Sequence, residues 1–125
     1  MKNLAQVRAA SALQLAINNQ GSIVGANGGE AIKKVPPMIA ANGLLAALAF
    51  SLEEKKQGLQ RPGYAAIFDA IAGHLQSPEI SITSDTRDAK ALLKHLVDSD
   101  SQTLKLATAE AMEWLSYARR FVRPE

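Results

Sequence analysis

His74 and His95 are the only imidazoles in a chain without cysteine. A thiol nucleophile, a disulfide and a Cys-ligated zinc or iron–sulfur site are therefore excluded. The two histidines fall in separate predicted helices, near the polar side of each. Histidines at i and i+4 would turn two ring nitrogens toward one metal, and this pair is not so spaced. Brought together in space, they could act as acid and base of a metal-independent ribonuclease. Nothing local orients either ring, so surface histidines are the expectation. Carboxylates pair at Asp85 and Asp88, at Asp98 and Asp100, and at Glu110 and Glu113. The aspartates stand at predicted helix starts, where capping and the helix dipole explain them. The glutamates lie i, i+3 on the expected polar face of the last helix, and a divalent cation there would need a further ligand. No metal, cofactor or small-molecule substrate is expected. No Ser/His/Asp spacing is recognisable, although such triads are set by geometry and not by chain order.

The glycine-rich stretch 20–29 holds four of the chain's eight glycines. It invites a phosphate-loop reading and fails it. A P-loop places Lys and Ser/Thr directly after its last glycine, so that amides, ammonium and hydroxyl converge on phosphate. Here Gly28 and Gly29 are followed by Glu30 and Ala31. A connecting loop over 20–29 is expected.

Basic side chains are more suggestive. Lys33 and Lys34 precede a Pro-Pro pair; Lys55, Lys56 and Arg61 follow the long apolar stretch; Arg87, Lys90 and Lys94 form one stripe; Arg119, Arg120 and Arg123 close the chain. Phosphate contact is one reading. Solvation, with cations favoured at helix C-termini, accounts for Lys55, Lys56, Arg119 and Arg120 without any ligand. The charge is also uneven. Residues 1–62 carry seven basic and three acidic groups, net +4; residues 63–125 carry seven and nine, net −2. Opposite faces on one small domain suit head-to-tail stacking of copies. The overall net charge of +2 is too small for a protein held on nucleic acid by charge alone.

These groups must be positioned by helices. Among 125 residues, alanine occurs 22 times and leucine 15, whereas valine, isoleucine and threonine together reach 17. That balance favours helix over strand. The length fits one domain spanning 1–125, all-α, a compact bundle of about five to six helices. Spacing predicts helices over 3–18, over 30–35 up to Pro36, from Pro37 to about 57, from Pro62 or Tyr64 to about 76, from an Asp85 cap to Val97, and a last one ended by Pro124. Residues 79–84 read as extended loop. The last helix has the clearest apolar stripe: Leu104, Ala107, Ala111, Trp114, Leu115, Ala118 and Phe121. Trp114 is expected to be buried against the helix that begins at Pro37. No apolar leader opens the chain. Residues 35–52 are uncharged, but the proline pair leaves only about 24 Å of possible helix, too short for a bilayer. The six aromatics are spaced as core positions, not as a base-stacking platform.

Two blocks go further. Lys33-Lys34-Val35-Pro36-Pro37-Met38-Ile39, with Asn42-Gly43-Leu44 and Leu48-Ala49-Phe50, is the first. Glu110-Ala111-x-Glu113-Trp114-Leu115-x-Tyr117-Ala118-Arg119-Arg120-Phe121 is the second. Together, in this order and at this length, they resemble the small helical subunit of type III-B CRISPR effector complexes, the Cmr complex. Ala118 stands where that family commonly has a larger residue, and Val122 replaces an alanine. The resemblance implies a cytoplasmic, non-catalytic subunit in antiviral defence. Its copies would stack along the crRNA-bearing backbone subunits and meet the crRNA–target RNA duplex through sequence-independent contacts. The expected RNA-contacting residues are Lys33, Lys34, Arg119, Arg120 and Arg123, then Arg87, Lys90 and Lys94. A small ribonuclease using His74 and His95, and a helical adaptor unrelated to nucleic acid, stand as the alternatives.

Overall fold

A computed structural model describes residues 3–25, 30–56 and 58–121. Among them are six helices and one two-stranded hairpin, an all-α fold as the composition predicts. Helix α1 (Leu4–Gly25) opens with a reciprocal cap. The Asn3 side chain accepts from the Gln6 N–H at 2.9 Å, and the Gln6 side chain accepts from the Asn3 N–H at 3.0 Å. The helix does not stop at residue 18. It continues through Gly21 to Gly25, so 20–25 is helix where a loop is predicted; 26–29 lies outside the described residues. A glycine costs a helix only about 1 kcal/mol against alanine, too little to end one already nucleated.

Helix α2 (Glu30–Asn42) corrects the sequence reading again, because it runs straight through Pro36 and Pro37. Each ring withholds one N–H, from the carbonyls of Ile32 and Lys33, yet proline's fixed φ is helical. Burial of Ala31, Ile32, Val35 and Ile39 along one face offsets the lost bonds. The break comes at Gly43, whose φ of +90° is a glycine conformation. Its N–H closes α2 on the Ile39 carbonyl at 2.8 Å, and its own carbonyl accepts from Ala47 at 3.2 Å to start helix α3 (Leu44–Ser51). The expected continuation to residue 57 is replaced by a short antiparallel hairpin, β1 (Glu54–Lys55) with β2 (Gly58–Leu59).

Helix α4 (Pro62–Gln76) begins on a proline, where the missing N–H is one that no helix satisfies internally. Helix α5 (Ala89–Val97) is capped by Asp88, which accepts from the Ala91 N–H at 2.8 Å. Asp85, the expected cap, instead has a left-handed φ of +57° in the preceding turn. A second carboxylate, Asp69 of α4, accepts from the Ala89 N–H at 2.8 Å and ties the two helices together. The 77–86 connection is turns and bends, held by Ile82 and Thr83 N–H bonds to the Leu75 carbonyl. Helix α6 (Ser101–Phe121) starts on Asp100, which accepts from Thr103 N–H at 2.7 Å. The residues from 122 onward, Pro124 included, lie outside the described ones.

Helix α4 is the hub and packs on each of the other five. Its Ile67, Phe68, Ile71, Ala72 and Leu75 are fully buried with Leu44, Leu48, Leu92, Trp114 and Leu115. Trp114 is buried as the stripe predicts, but its polar contacts are to α1 and α4, not to the helix after Pro37.

Candidate functional site

The described basic residues of the expected set all sit at the surface, in two groups. Lys33 and Lys34 are exposed on α2, and Arg119 and Arg120 are exposed in the last turn of α6. Because α2 and α6 pack on one another, the helices that carry Lys33 and Arg119 are adjacent. Lys90 and Lys94 are exposed on α5, one turn apart. Arg87 is exposed too, but it precedes α5 instead of sharing its stripe. Helix α5 packs on α3 and α4, so this trio belongs to another side of the fold. Arg123 lies outside the described residues. Among the described residues, Lys33, Arg87, Lys90, Lys94, Arg119 and Arg120 form no ion pair with a carboxylate. Two other arginines are spent internally. Arg61 bonds Glu53 at 2.6 Å and the Phe50 carbonyl at 3.2 Å, with its guanidinium 3.7 Å from the Phe50 ring centroid. It clamps the hairpin to α3.

Arg8 belongs to a buried polar cluster that sequence reasoning does not foresee. Its Nε and Nη2 donate to Glu110 at 2.8 and 2.7 Å, with Glu113 a further 3.8 Å contact. Glu110, expected on the polar face of the last helix, is 7% exposed. His74, expected at the surface, has a side chain with no exposure at all. Its Nδ1 lies 3.0 Å from Ser11 Oγ, and its Nε2 lies 2.9 Å from Glu110 Oε2. The Trp114 indole N–H, 3.0 Å from Ser11 Oγ, completes the set.

The chemistry of the end groups limits where the protons of this chain can lie. Indole and guanidinium can only donate, and a carboxylate can only accept. Ser11 therefore accepts from Trp114, and its own proton finds an acceptor within the cluster only by donating to Nδ1 of a neutral His74. That makes Nδ1 the acceptor and puts the imidazole proton on Nε2, where it donates to Glu110. In this fully matched arrangement His74 is neutral and Glu110 ionised, balanced by Arg8. Burial pushes the His74 pKa below its ordinary value, against the opposing pull of Glu110. Burial alone would raise Glu110, but hydrogen bonds from Arg8 and His74 outweigh it and hold that carboxyl below the ordinary carboxylate range. Glu110 in turn raises Arg8 further.

Ser11, His74 and Glu110 have the order of a hydrolase relay, and Ser11, His74 and Trp114 line an open groove of about 1110 Å³ with Val7, Leu15 and Gly73. Two features count against acyl-transfer chemistry there. The Ser11 oxygen already accepts a hydrogen bond from Trp114. The backbone amides around it are consumed inside α1, leaving no pair to hold an oxyanion. The pairing of His74 with His95 also fails. Both His74 nitrogens are occupied, and His95 bonds Ser99 Oγ one turn along its own helix, at 3.2 Å. Among the described residues no three His or acidic side chains gather as a metal site, and no helix is long and apolar enough to cross a membrane. The cluster was invisible in the sequence because Ser11, His74 and Glu110 come from three distant segments; the one signal was a serine inside an apolar stripe of the first helix.

In comparisons with known proteins, residues 4–125 match the family model described as CRISPR-associated protein (Cas_Cmr5). No curated protein and no solved structure matches the chain.

Proposed function

We propose, from the premise that this chain belongs to the Cmr5 family of CRISPR-associated proteins and so is a Cmr subunit of type III-B systems, that it is a non-catalytic cytoplasmic part of the effector ribonucleoprotein. In this reading its copies stack along the crRNA-bearing backbone and support the guide–target RNA duplex through phosphates alone, in antiviral defence. Sequence is then read by base pairing, and the protein needs only backbone contacts.

One observation carries the RNA contact: Lys33, Arg119 and Arg120 are exposed and lack carboxylate partners among the described residues, on two helices that pack together. Cations left in solvent by their own fold are available to phosphate. Lys34 and Arg123 join the proposed contacts on the family resemblance alone, not on their surroundings. Arg87, Lys90 and Lys94, before and on α5, are the second choice, since α5 packs on α3 and α4, away from the α2–α6 pair that carries the first group. The ribonuclease alternative loses its acid–base pair, because His74 is fully bonded inside the fold.

The test is target-RNA affinity of the reconstituted complex at two salt concentrations. Neutralising Lys33, Lys34, Arg119, Arg120 and Arg123 together should weaken binding and flatten its salt dependence. If the complex assembles and neither quantity changes, the subunit is scaffold only.

A further inference from the structure

We propose that the Arg8–Glu110–His74–Ser11–Trp114 cluster is an acid-sensitive latch that holds helix α1 on α4 and α6, with His74 as its titrating member. Helix α1 contributes Arg8 and Ser11, α4 contributes His74, and α6 contributes Glu110 and Trp114, so the three helices meet in one hydrogen-bonded chain. With His74 neutral, each donor in that chain meets an acceptor, and Ser11 donates to Nδ1 while it accepts from Trp114. A proton added to Nδ1 reverses the central bond. Nδ1 becomes a donor, Ser11 must accept from it as well as from Trp114, and the Ser11 hydroxyl proton loses its partner.

The charge balance changes at the same step. With His74 neutral, Glu110 and Arg8 cancel. With His74 protonated, the buried group carries a net positive charge beside the Arg8 guanidinium. The charges acting on His74 are Glu110 from α6, Arg8 from α1 and Glu79 from the turn after α4. Glu113 reaches the cluster only through Arg8, at 3.8 Å. Helices α2, α3 and α5 also pack on α4 and supply no further charge to His74 among the described residues. Release of α1 returns His74 to solvent, where its ordinary pKa of about 6.5 applies. The open form therefore takes up a proton that the closed form refuses. Acid favours opening from about pH 6.5 downward, to the lower pKa of the closed state.

Backbone amide exchange of the whole protein between pH 8 and pH 5, expressed as protection factors, tests the latch. Protection in α1 should fall by up to tenfold per pH unit below about 6.5, while α5 holds steady. In His74→Gln, which keeps a donor and an acceptor but cannot titrate, α1 should show no such fall. Constant α1 protection in the unmodified protein, or an equal fall in the variant, overturns the proposal. A second measurement needs no variant: the imidazole signals of His74 followed by NMR. Titration below 6.5, or none down to pH 5, is expected; titration at or above 6.5 overturns it.

Discussion

Substituting Arg8 would strand Glu110. The pair is bidentate and its side chains are only 18% and 8% exposed. Breaking a buried pair by removing one partner costs about 3–5 kcal/mol, and the partly open Arg8 places this case near the lower figure. Arg8→Met should thus lower the urea midpoint clearly, whereas Arg8→Met with Glu110→Gln should lose less, because no buried charge remains and the amide carbonyl still accepts from His74. Stability should also fall in acid in two steps. His74 is depressed in the fold, so its contribution is complete above about pH 6.5 and declines as pH drops below that. Glu110 is depressed from its ordinary 4.5, so its contribution declines only as pH falls below that value. Thermal unfolding across pH 8 to pH 3 should show both, and a single step near pH 4 would remove His74 from the account. None of this was legible in the residue pattern. A buried histidine and an exposed one look alike until the partners, brought from other helices, are known.

Element boundaries were legible where a side chain acts locally. Asp100 caps α6 and Pro62 opens α4 as their types predict, since a cap or a missing N–H works within one turn. They were misread where packing overrides propensity. Gly21 and the Pro36-Pro37 pair lie inside helices, while Gly43 ends one. What distinguishes Gly43 is its backbone, with φ +90° and ψ 162°, a region held almost only by glycine. A methyl group there would meet nothing within 4 Å. Gly43→Ala should therefore cost about 1–3 kcal/mol through backbone strain alone, measured by chemical denaturation. A neutral result would mean that the joint between α2 and α3 relaxes to another conformation.

At the scale of the whole molecule, fold class was the most legible property, because alanine and leucine content needs no knowledge of partners. Trp114 is fully buried, so its emission should be that of an indole out of water, and Trp114→Ala should cost about 3–5 kcal/mol. The split of charge between the two halves of the chain favours a heterologous contact, in which each copy offers different surfaces to its two neighbours. The isolated protein should then sediment as a monomer or weak associate. A two-fold dimer persisting at nanomolar concentration would contradict stacking of that kind. Free protein should bind RNA feebly, since non-specific contacts typically give only about 10⁻⁴–10⁻⁶ M, and several copies tethered along one duplex should bind it far better.

Helix α1 carries its apolar residues almost all the way round. Leu4 and Leu13 are about half exposed, while Ala12 and Leu15 are buried. Such a helix, short of a single greasy stripe, can be imagined displaced along its neighbours by one turn. That slip would bring Val7 or Leu15 to the place of Ser11. The Trp114 N–H and the His74 Nδ1 would then lose their partner at once, and Glu110 would lose Arg8. Burial opposes the slip as well, since bringing Val7 to the place of Ser11 would carry Arg8 into the buried place of Ala12, and the hydrogen bonds admit only one alignment. The half-buried serine is thus a key cut for one notch, and it sets where α1 comes to rest.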